Sequence, residues 1–225
     1  MADINLKLYS NSDEFNAFKK HHILPKGNVI KILFIGNSIT WHAPSADLGW
    51  NLNCGMAAPR EQLDYVHLLI KELNISKSEV AVLNCAEFER FPIVKSESFE
   101  KIKLINSDNI VTYTIIQLGD NVTSVEQLSI FFDNMDLLIK NIRSDKNRTF
   151  MVSTWWNSEV KNEVIRNLCK SHQISYIDIS DLYSSPINPE TTIIDYENLG
   201  VNNHPKSWGM EQIANRIYYA IKSIE

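Results

Sequence analysis

Ile30-Lys31-Ile32-Leu33-Phe34-Ile35-Gly36-Asn37-Ser38-Ile39-Thr40 is the stretch that decides how this chain folds. From Ile30 to Ile35 it is almost wholly apolar and rich in β-branched side chains, and Gly36 bounds it. That is the pattern of a strand covered on both faces of a parallel sheet. Glycine then allows a sharp turn, and Ser38 carries a hydroxyl into the space beyond the strand's carboxyl end. Open parallel sheets bind their ligands in that crevice. The polar residues just past each strand are therefore the candidates for function.

Outward from this stretch the pattern alternates. Pro59 to Leu73 places Leu63, Val66, Leu69 and Ile70 at helical spacing, and proline suits a first turn. Val80 to Cys85 reads as a second strand, Ser98 to Ile105 as a short helix, and Val111 to Leu118 as a third strand rich in β-branched residues. Ser124-Val125-Glu126-Gln127 is a capping box that opens a helix running to about Ile142. Phe150 to Thr154 is a fourth strand, Ser158 to Ser171 a helix and Ile174 to Ile179 a fifth strand. A long irregular loop from Leu182 to Pro205 precedes a last helix, Ser207 to Ile224, which buries Ile213, Ile217, Ala220 and Ile221. Repeated strand–helix alternation predicts an α/β fold with a mostly parallel sheet and helices on both faces. No repeat, low-complexity run or linker divides the chain. One domain over 29–225 is expected, with 1–28 as an N-terminal extension in which Phe15 and Phe18 sit at helical spacing.

The bulk properties narrow the function. A chain of 225 residues, 44% hydrophobic and 22% charged, supports one substantial core and reads as an ordinary globular protein. Its net charge is -5, with the basic residues scattered. Neither a nucleic-acid partner nor an anionic membrane is expected. The 3 cysteines, Cys54, Cys85 and Cys169, form no C-x-x-C pair and read as reduced thiols. With no secretory pattern between Met1 and Lys20, that gives a cytoplasmic expectation. No H-E-x-x-H, paired cysteine or histidine cluster suggests a metal, and His21-His22 reads as an exposed helix end. No cofactor is implied.

Three polar segments fall at strand ends or before the last helix: Gly36-Asn37-Ser38, Gly119-Asp120-Asn121 and His204-Pro205. Together they suit acyl transfer. A serine hydroxyl is a weak nucleophile until an imidazole accepts its proton. The tetrahedral intermediate carries a negative oxygen that fixed N–H donors must hold. Each segment alone also has a plain reading: a turn serine, an asparagine capping its own loop, a histidine at a helix start.

In their order these segments resemble the SGNH (GDSL-like) hydrolases, whose blocks are G-D-S, a glycine after strand two, G-x-N-D after strand three and D-x-x-H near the C-terminus. The resemblance runs from Ile30 to Ile224. It implies a three-layer flavodoxin-like sandwich with a five-stranded parallel sheet in the order 2-1-3-4-5. It also implies O-acyl ester hydrolysis, with Ser38 as nucleophile and His204 as base. Asn121 and the N–H groups of Ser38 and Ala86 would form the oxyanion hole. This sequence departs from the pattern at four places: Asn37 for the first aspartate, Ala86 for the second-block glycine, Val122 for the third-block aspartate, and Val201 for the aspartate three residues before His204. The stretch continuing through Trp41-His42-Ala43-Pro44, Gly49-Trp50, Gly55-Met56-Ala57-Ala58 and Asp64-Tyr65 is similar to a bacterial subgroup of the family. So is the ending Gly200-Val201-Asn202-Asn203-His204-Pro205 with Gly209-Met210. In that subgroup the absent aspartate would be a shared trait.

The imidazole's second nitrogen is left with several candidate partners. A Ser-His dyad resting on a backbone carbonyl is the default. Asp195 is the first choice among acids, with Glu197, Glu87 and Glu89 also within plausible reach. Asn37, Trp41, His42 and Trp156 are candidate substrate contacts, although tryptophans such as Trp41, Trp50, Trp155 and Trp156 serve equally well as packing. The preferred substrate is a small acyl ester, such as O-acetyl on a carbohydrate. Rival readings are a carbohydrate-binding pseudoenzyme, an acyltransferase, and a phosphate-binding domain using the first loop. That loop's single glycine and lack of lysine make a thin phosphate cradle.

Overall fold

In the computed structural model, residues 29–225 are described, apart from Asn109, Arg143, Asp145, Lys146 and Thr191. The expected N-terminal extension, 1–28, lies outside the described residues. The opening apolar run is strand β1 (Val29–Gly36), in which Ile32, Leu33, Phe34 and Ile35 are fully buried. It is an interior strand, flanked on both sides, and its core residues present no polar face to solvent. β2 (Val80–Asn84), β3 (Ile110–Gln117), β4 (Arg148–Val152) and β5 (Ser175–Ile177) complete a five-stranded sheet in the order β2-β1-β3-β4-β5. Every neighbouring pair is parallel.

The register aligns the strand ends. Gly36 stands opposite Asn84 on one side and Gln117 on the other. Three strands therefore end level, and the loops after them open onto one rim. β5 is shorter than its apolar run suggested, because it pairs only with β4 at the sheet's edge.

The helices are α1 (Tyr65–Glu72), α2 (Glu97–Asp108), α3 (Val125–Ile142), α4 (Glu159–His172), the single turn α5 (Leu199–Asn202) and α6 (Ser207–Lys222). α1 packs on α6, while α3 packs between α2 and α4. Each presents an apolar stripe to the sheet: Tyr65, Val66, Leu69 and Ile70 on α1, and Met210, Ile213, Ile217 and Ile221 on α6. The helix expected from Pro59 begins later. A short 3-10 turn at Glu61–Leu63 comes first, and the Asp64 carboxylate then caps α1 by accepting the His67 N–H at 2.7 Å. The α3 cap agrees with the sequence signal: Ser124 Oγ accepts the Gln127 N–H at 3.2 Å. The Gln127 side chain reaches back to Thr123 N at 2.8 Å, one residue earlier than in the usual box.

Gly36 is required by space. A Cβ there would lie 1.8 Å from Thr40 Oγ1, because the turn folds Thr40 back over the strand end. Gly119 is required by conformation, with φ at 126°. Among the described residues no helix is long and apolar enough to cross a membrane, and no disulfide forms between Cys54, Cys85 and Cys169, which are all buried. Burial pushes the Cys54 and Cys169 thiols up, away from reactive thiolate.

Candidate active site

Ser38 sits two residues past β1 in a turn built by its neighbour. The buried Asn37 accepts the Ile39 N–H on its side-chain oxygen at 3.0 Å, and its backbone carbonyl accepts Thr40 N at 3.0 Å and Trp41 N at 3.1 Å. That turn leaves the half-buried Ser38 Oγ 2.8 Å from His204 Nε2. His204 Nδ1 lies 2.7 Å from the Gly200 carbonyl oxygen. A carbonyl can only accept, so Nδ1 carries the proton and Nε2 offers its lone pair to the serine. Burial, helped by the nearby His42, pulls the His204 pKa down to about 4 against the opposing pull of the Gly200 carbonyl. The ring is therefore neutral at pH 7, with the Nε2 lone pair directed at the serine hydroxyl.

The approach of His204 is fixed by its loop. Asn198 caps α5, accepting Val201 N at 3.2 Å. Trp155 Nε1 donates to Asn203 O at 3.1 Å, and Trp156 meets the imidazole edge to face with ring centroids 5.0 Å apart. Beyond the histidine, the Glu190 carboxylate accepts Lys206 N at 2.9 Å, Trp208 N at 2.5 Å and Gly209 N at 3.2 Å. A carboxylate on the first N–H groups of α6 anchors that helix and the segment leading into it.

The third component is the loop after β3. Asn121 is half-buried, and its amide Nδ2 donates to Glu89 Oε2 at 2.5 Å. Glu89 is fully buried, and its Oε1 also accepts Gly119 N at 2.6 Å and Asn121 N at 3.2 Å. Asn37 Nδ2 lies 3.2 Å from both Glu89 Oε1 and Asp120 Oδ2, and so bridges the two carboxyls. Asp120 further accepts Gln117 Nε2 at 2.7 Å and Trp155 N at 2.8 Å. Burial, and then the charge of Glu89, pushes the Asp120 carboxyl up to about 6.

Ser38, His204 and the Asn121 loop thus face one rim. Other expected residues stand elsewhere. Asp195 is not the acid behind His204: its carboxylate turns to Lys206 Nζ at 3.4 Å, and the imidazole's Nδ1 already faces the Gly200 carbonyl. Glu89 faces the Asn121 loop, and Glu87 accepts from Ser96 Oγ at 3.1 Å. The Ala86 N–H, the expected oxyanion donor, is taken by Asn84 Oδ1 at 3.0 Å. Asn37 and Trp41 are buried, at 0% and 4% exposure, which removes them as substrate contacts. His42 is half-buried, with Nδ1 2.6 Å from Ala43 O, and Trp156 remains at the rim. The default of a backbone carbonyl behind His204 is what the geometry shows, with Gly200 as the residue the sequence did not name; Glu89 as the clamp on Asn121 and Glu190 were not singled out for the parts they play. Only Glu89 carried a signal, as an acidic residue at a strand end whose one adjacent cation, Arg90, instead donates to Asn121 O at 3.3 Å.

At the level of sequence, no family model and no curated protein matches the chain. Solved structures do. A protein named as a GDSL-like lipase, from Bacteroides ovatus, superposes with TM-score 0.54 at 14% identity over 86% of this chain and 99% of its own. TesA superposes with TM-score 0.56 at 11% identity over 87% of this chain and 99% of its own. A two-domain esterase active on acetylated mannans superposes with TM-score 0.53 at 14% identity over 98% of this chain. The chain spans 54% of that esterase's length. With the strand order β2-β1-β3-β4-β5 and these neighbours, the chain has the SGNH, or GDSL-like, hydrolase fold.

Proposed function

We propose that this chain is a serine esterase that hydrolyses an O-acyl ester through Ser38 and His204. One observation carries the reading: the 2.8 Å approach of Ser38 Oγ to an imidazole nitrogen whose opposite nitrogen is committed to a carbonyl. In the reaction, Ser38 Oγ attacks the ester carbonyl while its proton passes to His204 Nε2. The oxygen that becomes negative is held by the Ser38 N–H and by the second hydrogen of Asn121 Nδ2. The Ala86 N–H joins them if the incoming oxygen displaces Asn84. The intermediate collapses, the C–O bond breaks, and the imidazolium returns the proton to the leaving alcohol. Water, deprotonated by His204, then cleaves the acyl-serine.

A small acyl group on a carbohydrate is the preferred substrate class. Trp156 beside His204 offers an aromatic edge to a sugar ring. One structural neighbour acts on acetylated mannans, which agrees with that choice. The test is turnover of p-nitrophenyl acetate and release of acetate from acetylated oligosaccharides. Ser38→Ala should lose at least about a thousand-fold in kcat. Absence of turnover together with absence of fluorophosphonate labelling overturns the reading and leaves a carbohydrate-binding protein of the same fold.

A further inference from the structure

We infer that Glu89 is a positioning residue, which acts through Asn121 by fixing the side-chain amide as an oxyanion donor. The inference rests on the esterase reading and adds to it a residue outside the Ser-His pair. A side-chain amide makes a good oxyanion donor only if it is held still, because an amide free to rotate reorganises at the moment charge develops. Asn121 has two hydrogens on Nδ2. Glu89 Oε2 takes one at 2.5 Å, which fixes the plane of the amide and leaves the other free for the substrate oxygen. The same carboxylate grips the loop's main chain through Gly119 N at 2.6 Å and Asn121 N at 3.2 Å. One acidic side chain therefore sets both the position of the Asn121 backbone and the rotation of its amide.

A buried carboxylate is costly unless it is compensated. Glu89 has 0% exposure, and its hydrogen-bond partners are all donors: two backbone N–H groups, the Asn121 amide and the Asn37 amide, the last shared with the neighbouring Asp120 carboxyl. The 3-10 turn Ala86–Glu89 that follows β2 carries it there. Only a carboxylate fits this surround, since both of its oxygens accept. An amide of the same shape must turn its NH2 toward another N–H, whichever way it is flipped. Glu89→Gln is therefore nearly isosteric yet chemically wrong.

The experiment is a double-mutant cycle on p-nitrophenyl acetate hydrolysis, comparing wild type, Glu89→Gln, Asn121→Ala and the double variant. Glu89→Gln should lower kcat by about 10- to 100-fold, with KM within about twofold, because the lost interaction exists only in the transition state. The double variant should be no slower than Asn121→Ala alone. Unchanged kcat in Glu89→Gln, or losses that multiply in the double variant, overturns the inference. Wild type is also measured by 15N NMR, with Asn121→Ala assigning the signal. One Asn121 Nδ2 proton should lie downfield of the ordinary asparagine range and exchange slowly; ordinary shifts overturn the inference even if Glu89→Gln does not fold. Absence of wild-type turnover with a downfield proton overturns the esterase reading instead.

Discussion

The carbonyl oxygen of Gly200 lies 2.7 Å from His204 Nδ1, four residues along the chain, and occupies the place where a carboxylate would orient the ring. It does so from within α5, so the partner of the His204 imidazole is main chain. The carbonyl fixes the tautomer without adding a full negative charge behind the ring.

With no carboxylate behind it, His204 is held neutral mainly by burial, with its pKa near 4. On the proposed esterase reading the neutral ring is the active form, so activity should vanish only as pH falls through about 4. The pH profile of kcat/KM checks this, measured in wild type and in Asp120→Asn so that the carboxyl near 6 is separated from the limb. An acid limb centred at the ordinary histidine value of 6.5 contradicts the assignment.

Two side chains that precede α5 should behave differently. Asp195 is half exposed and paired with Lys206, so Asp195→Ala should leave kcat within about twofold. Asn198 caps the turn that presents the Gly200 carbonyl. Asn198→Ala should lower kcat several-fold and cost about 0.5–2 kcal/mol of stability. Steady-state kinetics and urea unfolding measure both. A hundred-fold loss in Asp195→Ala, with Asn198→Ala unaffected, would restore the acid to Asp195.

Asp120 makes a stability prediction of opposite sign to that of an ordinary paired carboxylate. Its pKa rises from 3.8 unfolded to about 6 folded, so the native state binds the proton more tightly. That contribution is full below about 4 and is lost as pH rises through about 6. The unfolding free energy of wild type minus that of Asp120→Asn should therefore fall between pH 4 and 7. A difference that grows with pH is the contrary result.

Gly36→Ala should destabilise by about 1–3 kcal/mol through overpacking, because the new methyl meets Thr40 Oγ1 at 1.8 Å. Thr40 also holds Tyr65 OH at 2.7 Å, so any shift passes to α1. Thermal and urea unfolding measure the loss. Thr40 Cβ would also stand only 2.5 Å from the new methyl, so partial recovery in Gly36→Ala/Thr40→Gly but not in Gly36→Ala/Thr40→Ala identifies the cause.

The sheet was readable because β1 and its neighbours are covered on both faces. Ile32 to Ile35 and Ile115-Ile116 have to be apolar to sit there, and their runs survive any change in the loops. The positions of Ser38, Asn121 and His204 at the rim were readable because each comes just past a recognisable end or precedes a recognisable start. Other features were less visible. Asp64 as the α1 cap was hidden by Pro59, an equally good start. α5 has only four residues and no periodicity to detect. The partners of Glu89 come from the backbone of a loop 30 residues away, and no side-chain pattern announces an N–H group. Asp195 misled because proximity along a loop says nothing of direction: its carboxylate points to Lys206.

The Gly200 carbonyl has a consequence for heredity. Every amino acid brings the same oxygen to that position, so no single substitution can delete the acceptor; it can only be misplaced. What the segment has to keep is then a curve of the chain and not a letter of the alphabet, and the letter at Val201 is released to pack, as its 1% exposure attests.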